Sequence, residues 1–217
     1  MKKILPLIVF ICVCVIDFIG IYLENQTLIN FAKPLLMLSL FWYYFTNTET
    51  LNKLFVAGLL FSFLGDVFLL GKGELYFILG LGFFLTAHVF YIIMVSKHLV
   101  KLQLKQLGLA IFPYLIIFIL LLNLLYESLG TMKIPVIIYA ITISIFGTVS
   151  LLLFLQKKTS ANLLLVVGVL IFITSDSILA INLFYKPQPI YPLLIMMTYV
   201  LAQFLICKFV LKQKSIS

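Results

Sequence analysis

The sequence predicts an all-α membrane protein, a single bundle of about eight transmembrane helices. Of its 217 residues, 64% are hydrophobic and 10% are charged, and the mean hydropathy is +1.25. Soluble domains are about 45–50% apolar and about 25% charged. Apolar runs of about 20 residues, long enough to cross a bilayer, recur with short turns between them. We therefore expect one transmembrane domain over residues 1–217, without an attached soluble domain.

The spans follow in order along the chain. The first span, at 4–23, follows Lys2 and Lys3 and so resembles a signal peptide. However, it lacks a small-residue cleavage site and is long enough to span the membrane. We expect a retained helix there. The apolar windows place the other spans at 28–46, 51–71, 75–96, 106–125, 134–155, 162–184 and 190–211. The shortest turn, residues 71–74, is the hardest to place.

The lysines indicate the orientation of the bundle. With the N-terminus inside, eleven lysines lie on the inner side, Lys33 lies within a span, and only Lys72, Lys133 and Lys186 lie outside. By the positive-inside rule, both termini are cytoplasmic. The net charge of +8 then reflects orientation, and we expect no nucleic-acid partner. All fifteen basic residues are lysine, which suits an AT-rich genome and hence a bacterial cell membrane.

Two aspartates, Asp66 and Asp176, each lie within a long apolar run. An ionisable group at the centre of a membrane helix costs about 2.5–3.5 kcal/mol, so such groups usually have a function. Gly58, Ser62 and Asp66 recur every fourth residue, so a stripe of small residues permits close packing and directs the carboxyl group into the bundle. These two aspartates are the first candidates for chemistry.

Further polar side chains recur at helical spacing in the same spans. Counting about 1.5 Å per residue places them on a track from the outer leaflet to the midplane. A weak parallel repeat relates the third and fourth spans to the seventh and eighth, and it suggests that the two aspartates face each other. Besides the two aspartates, the track contains Lys33, His88, Tyr199 and Gln203, while Tyr91 shares a helix face with His88 and Asn182 shares one with Ser175.

A purely structural interpretation is also open for each acid. Asp66 would then neutralise Lys33 as an ion pair, and the serines on either side of Asp176 would satisfy it locally. Asp17, near the end of its span, is expected to be an interfacial or packing group.

At these residues the sequence resembles the YhhN-like family of integral membrane proteins, whose animal members are lysoplasmalogenases. The resemblance lies in five stretches in register, at residues 33–37, 60–67, 87–91, 172–182 and 198–203. It implies a multi-helix enzyme that hydrolyses the vinyl ether bond of lysoplasmalogen to a fatty aldehyde and a glycerophospho-base. The chain departs from the family at Leu183, where a basic residue is common, and Lys186 is the candidate to replace that charge.

Vinyl ether hydrolysis needs one protonated acid, one ionised carboxylate and water. Two carboxyl groups in a low-dielectric site do not ionise together, so Asp66 and Asp176 suit these roles in either order. We expect Asp66, Asp176 and His88 to be catalytic, with no metal and no cofactor. The expected substrate is a lysophospholipid or related lipid drawn from the membrane. Side chains predicted to bind it are Lys33, Tyr91, Asn182, Tyr199 and Gln203.

Three other classes of protein compete with this hypothesis. A zinc hydrolase of the alkaline ceramidase type needs several intramembrane histidines, whereas only His88 lies in a span. A proton-coupled transporter of lipids or small molecules would use the same acids. A non-catalytic lipid-binding protein is the third alternative. The sequence does not predict an oligomeric state.

Overall fold

The computed structural model describes residues 4–101 and 103–213, and within these ranges the chain forms eight α-helices and no strand. The bundle confirms the predicted all-α fold. Lys2, Lys3 and Lys214, which entered the orientation argument, lie outside the described residues. The helices are α1 (Leu5–Tyr22), α2 (Gln26–Asn47), α3 (Lys53–Phe68), α4 (Glu74–Ser96), α5 (Leu104–Leu125), α6 (Lys133–Gln156), α7 (Ser160–Phe184) and α8 (Tyr191–Lys212).

The largest departure from the predicted spans is at the end of α3. This helix has 16 residues and ends at Phe68, three residues before the predicted boundary at residue 71. Leu69 and Leu70 extend the apolar pattern but lie in tight turns, where their amides bond to Gly65 and Val67. The seven other described helices are long and apolar enough to cross a membrane. As a result, α3 ends deeper in the bundle than its neighbours.

Consecutive helices pair as antiparallel hairpins: α1 with α2, α3 with α4, α5 with α6, and α7 with α8. α6 packs against both α4 and α7, while α2 packs against α3 and α8. The six helices α2, α3, α4, α6, α7 and α8 therefore surround a common interior. Helix α5 lies at the periphery and exposes apolar side chains such as Ile119 and Leu120, as expected of a surface that faces lipid.

Glycines allow the closest helix contacts near the interior. A Cβ atom on Gly58 of α3 would lie 2.1 Å from the ring of Tyr91 of α4, and one on Gly65 would lie 2.6 Å from the ring of Phe84. Each aromatic ring therefore fills the space left by a missing side chain. This packing places α4 directly against the face of α3 that carries Ser62 and Asp66, both of which are buried.

Candidate active site

A cavity of about 90 Å³ lies within the ring of six helices, toward one end of the bundle. Its lining comes from the first halves of α2, α4, α6 and α8 and the last parts of α3 and α7. This is the end opposite to the start of α1 and the end of α8. If both termini are cytoplasmic, as the lysines predict, the cavity lies in the outer half of the membrane.

The lining is mostly apolar and includes six polar residues. The apolar residues are Leu69, Phe77, Leu81, Phe84, Val136, Leu179, Ala180, Leu183, Phe184, Ile195 and Met196. The polar ones are Lys33, Asp66, Tyr139, Ser175, Asp176 and Tyr199. Apolar walls with few convergent polar groups are typical of ligand sites.

Asp66 forms part of the floor of the cavity. Its Oδ2 accepts a hydrogen bond of 2.8 Å from the Tyr199 hydroxyl, and its side chain is 2% exposed. Along the helix axes Asp66 is about 3 Å from the end of α3, whereas Tyr199 is about 12 Å from the start of α8. The early end of α3 thus brings a residue of its last turn to the depth of the third turn of α8.

Asp176 lines the same cavity from the last part of α7, eight residues before the end of that helix. Its Oδ2 accepts a hydrogen bond of 2.6 Å from the hydroxyl of Tyr139 on α6. Neither adjacent serine serves it, because Ser175 donates to the Ile195 carbonyl and Ser177 to the Ile173 carbonyl. The local satisfaction considered from the sequence does not occur. The two aspartates share one cavity but take their tyrosines from non-equivalent helices, so the predicted repeat does not extend to these contacts.

Lys33 contributes the ammonium group of the cavity lining in the described part of the chain. Its side chain is half-buried, and its charge acts on the carboxyl group of Asp66. Within residues 4–101 and 103–213, Tyr199 rather than Lys33 is the hydrogen-bond partner of Asp66. A direct ion pair between Lys33 and Asp66 is therefore not the arrangement of this structure.

His88 lies behind the cavity wall and does not line the cavity. Its ring is fully buried among those of Tyr91, Tyr139, Phe146 and Phe172, with centroids 4.7 to 6.5 Å away. Among the described residues neither ring nitrogen has a hydrogen-bond partner of good geometry, although the Phe84 carbonyl lies close to the ring. His88 is thus connected to the site through neighbouring residues such as Tyr139, whose hydroxyl bonds to Asp176.

Tyr91 and Gln203 lie in a buried polar cluster one turn below Asp66. The Tyr91 hydroxyl donates to Gln203 Oε1 over 3.1 Å, and Gln203 Nε2 donates to Ser62 Oγ over 3.0 Å. These bonds join α3, α4 and α8. Neither residue lines the cavity, so the predicted contact with substrate is replaced in this structure by a contact between helices.

The outer end of α7 carries the remaining predicted residues. Asn182 does not line the cavity, and its side-chain oxygen accepts from the amide of Gln188 in the turn to α8. Leu183 does line the cavity, whereas Lys186 is exposed beyond the end of α7 and does not replace a charge there. Phe77 and Phe184, which both line the cavity, meet edge to face with centroids 5.6 Å apart.

Tyr139 is the site residue that the sequence did not single out. The chain has 11 tyrosines, and several lie in apolar runs, so residue type alone does not mark this one. Its partner Asp176 is 37 residues away on the next helix, and only the packing of α6 against α7 brings them together. Phe84 was missed as well; it packs on Gly65 and edge to face with Tyr199, which fixes the position of that ring.

The fold and cavity together define a polytopic helical membrane protein with two carboxyl groups in the lining of one largely apolar site. The family model of the YhhN family matches residues 28–210, which confirms the resemblance seen in the sequence. The chain belongs to the YhhN family. Comparison with curated proteins and with solved structures found no match.

Proposed function

We propose that the protein hydrolyses the vinyl ether bond of a lysoplasmalogen-type lysophospholipid, giving a fatty aldehyde and a glycerophospho-base. The observation that carries the proposal is the pair Asp66 and Asp176. Both line one small apolar cavity, Asp66 buried and Asp176 partly buried, and each is oriented by a tyrosine hydroxyl. Membership of the YhhN family is consistent with a hydrolase.

The reaction needs three steps that such a pair can perform. A protonated carboxyl group transfers its proton to the β-carbon of the vinyl ether, and the π electrons shift to leave an oxocarbenium ion. The ionised carboxylate takes a proton from water as the water oxygen attacks that ion, forming a hemiacetal. The hemiacetal carbon–oxygen bond to glycerol then breaks: the leaving oxygen takes the proton that the second carboxyl group had removed from water, and the first carboxylate takes the proton of the hemiacetal hydroxyl as the aldehyde carbonyl forms. One water is consumed and both carboxyl groups return to their starting states.

The surroundings favour Asp176 as the acid and Asp66 as the carboxylate. Asp66 has the ammonium of Lys33 in the same cavity wall, and a cation stabilises an ionised carboxylate. Asp176 has the Tyr139 hydroxyl as its partner, and no charged side chain of the described residues acts on it. In active sites, two carboxyl groups with different neighbours commonly take different roles, one as the acid and the other as the base.

The presence of Lys33 in the cavity lining favours a substrate that carries a phosphate group. Its ammonium is the cation in the described cavity lining, and lysine binds phosphate as a point charge. The cavity, at about 90 Å³, is well below the roughly 300–1,000 Å³ of sites that enclose whole ligands. In this proposal the vinyl ether end of the lipid enters the cavity, and the hydrocarbon chain extends out of it along apolar residues such as Phe77 and Phe184.

The other predicted residues act indirectly in this proposal. His88 supports the ring of Tyr139, and Tyr91 and Gln203 hold α3 against α4 and α8 below Asp66. Asn182 orders the turn at the outer end of α7.

Aldehyde release by the purified protein tests the proposal. The substrate is a lysophospholipid with a 1-alkenyl chain, and matched lipids with a 1-alkyl ether or a 1-acyl ester serve as controls. We expect aldehyde from the vinyl ether alone, because only its β-carbon accepts a proton to give an oxocarbenium ion. Fatty acid from the ester, or no product from any lipid, would contradict the proposal.

A second candidate function is a proton-coupled carrier. It is favoured by a polar cleft of about 630 Å³ at the opposite end of the bundle, whose lining includes Lys53, Lys97 and Lys212. The buried cluster of Ser62, Tyr91 and Gln203 lies between this cleft and the cavity. Uptake of a labelled lysolipid across vesicles containing the protein, without aldehyde release, would favour the carrier over the hydrolase.

A further inference from the structure

Asp17 is a buried carboxyl group that the proposed reaction does not use. The side chain, in α1, is 0% exposed, and in the described part of the chain neither of its oxygens has a hydrogen-bond partner. A carboxylate in such surroundings is costly unless a proton or a cation compensates it. Residue 17 also precedes the residues 28–210 matched to the family, so the match assigns it no role.

The packing of α1 on α2 places Asp17 beside Lys33. A Cβ atom on Gly20 would lie 2.9 Å from Leu28 Cβ and 3.2 Å from the amide nitrogen of Ile29. In an antiparallel pair, three residues back along α1 correspond to three or four residues forward along α2. Asp17 therefore faces the level of Ala32 and Lys33, and Ala32 is buried in the same contact.

The packing of α1 on α8 gives the same depth independently. Phe10 stacks on Phe204 with centroids 5.9 Å apart. Seven residues further along α1, Asp17 comes to the level of Met197, two residues from Tyr199. Asp17 thus lies at about the depth of the Asp66–Tyr199 hydrogen bond.

Lys33 therefore lies between two buried carboxyl groups. Asp66 shares the cavity lining with it, and Asp17 lies on the α1 side of α2, outside that lining. The charge of Lys33 acts on both of them. The ammonium can move toward either acid, since within residues 4–101 and 103–213 its side chain makes no hydrogen bond to Asp17 or Asp66.

We propose that Asp17 is a positioning residue of the active site that shares the charge of Lys33 and keeps its ammonium from closing onto Asp66. Without Asp17, the remaining carboxylate within reach of Lys33 is Asp66. A direct ion pair would occupy the carboxylate that must accept a proton from water. This inference rests on the proposed function for its catalytic consequence, while the pairing of Asp17 with Lys33 stands on packing alone.

A thermal stability cycle tests the pairing without any activity. We expect Lys33→Met to lower the melting temperature, because it removes the cation near two buried acids, and Asp17→Asn to raise it again in that background. In the wild-type background Asp17→Asn should give no such rise. The exposed Glu24→Gln is the matched control and should have the same effect in both backgrounds. Equal shifts for Asp17→Asn in both backgrounds, or a double variant that does not fold, would overturn the pairing.

A kinetic test separates positioning from packing. The substrate is a 1-alkenylglycerol without phosphate, so that loss of phosphate binding by Lys33 does not interfere. We expect Asp17→Asn to lower kcat about tenfold with little change in KM. A tenfold loss corresponds to an increase in the activation free energy of about the size of one hydrogen bond. In a Lys33→Met background the same substitution should have little further effect on kcat, because no ammonium remains to close onto Asp66.

Each outcome of the kinetic test is decisive. A tenfold loss from Asp17→Asn in the Lys33→Met background as well, or wild-type kcat in the Asp17→Asn single variant, would overturn the positioning role. If the wild type releases no aldehyde, the proposed function fails, and the stability cycle still decides whether Asp17 and Lys33 are paired.

Discussion

The Asp66 side and the Asp176 side of the cavity are built from the same parts in different arrangements. Each carboxyl group accepts a hydrogen bond from a tyrosine of another helix, and each helix has a glycine eight residues earlier, Gly58 or Gly168. Asp66, however, lies in the last turn of the 16-residue α3, whereas Asp176 lies well inside the 25-residue α7.

Charge distinguishes the two sides most clearly. Lys33 and Asp17 both act electrostatically on Asp66, while Asp176 is surrounded by neutral groups in the described structure. The comparison teaches that similar sequence settings do not give equivalent groups. Neighbours on α1 and α2 give the Asp66 side its own electrostatics, and six variants and one treatment test how far the difference extends.

The largest effect is expected from removing either carboxyl group. Asp66→Asn and Asp176→Asn should each lower kcat by about 10² to 10⁴, the usual loss when general acid or base action is removed. Both variants should fold, since burying a neutral amide costs less than burying a charge. The measurement is aldehyde release together with the melting temperature.

The control for this prediction is Glu74→Gln, which neutralises an exposed carboxylate at the start of α4 and should keep wild-type activity. Activity lost in parallel with the melting temperature would make the acids structural. If adding Lys33→Met to Asp66→Asn restores activity, then Asp66 only neutralises the charge of Lys33 and is not catalytic.

A smaller and unequal effect is expected from the two tyrosines. A hydrogen bond to an ionised group contributes about 1.5–3 kcal/mol, and one between neutral groups about 0.5–1.5 kcal/mol. If Asp66 is the carboxylate, Tyr199→Phe should lower kcat/KM roughly 10- to 100-fold and Tyr139→Phe roughly 2- to 10-fold. Tyr114→Phe is the control, because Tyr114 is buried but lies outside the cavity lining. The opposite order would exchange the roles assigned to the two acids.

Most of this fold followed from the sequence, whereas the details of the site did not. Windows of apolar residues located the helices because membrane thickness fixes their length. Asp66 and Asp176 could be found because burial makes them costly. The early end of α3 could not, since Leu69 and Leu70 continue the apolar pattern past the last helical residue. Tyr139 and the burial of Asp17 depend on which helix packs against which, and spacing within one helix does not determine that.

The two glycines offer a comparison of packing. A Cβ atom on Gly58 would lie 2.1 Å from the Tyr91 ring, which is fully buried and hydrogen-bonded to Gln203. A Cβ atom on Gly168 would lie 3.0 Å from Leu205 Cβ. We expect Gly58→Ala to destabilise the protein by about 1–3 kcal/mol and Gly168→Ala by less. Unfolding in a denaturing detergent series measures both.

The control for the glycine pair is Gly82→Ala, because the space around Gly82 is open and alanine favours a helix. Equal destabilisation by Gly58→Ala and Gly168→Ala would mean that the Tyr91 cluster does not give the Asp66 side its own packing requirement.

No effect is expected from chelators. The cavity lining contains two carboxyl groups and two tyrosine hydroxyls but neither histidine nor cysteine, and the His88 ring is enclosed by four aromatic rings away from it. Zinc sites of hydrolases generally use histidine nitrogens, and a divalent cation beside Asp66 would also be repelled by Lys33. The acid and base pair needs only water as a further reactant. Aldehyde release should therefore be unchanged after dialysis against EDTA. The control is the same assay after zinc is added to the dialysed protein. If turnover is lost in the chelator and restored by zinc, the acid and base roles of Asp66 and Asp176 are wrong and both residues are metal ligands. The difference between the two sides of the cavity would then have to be explained by metal coordination.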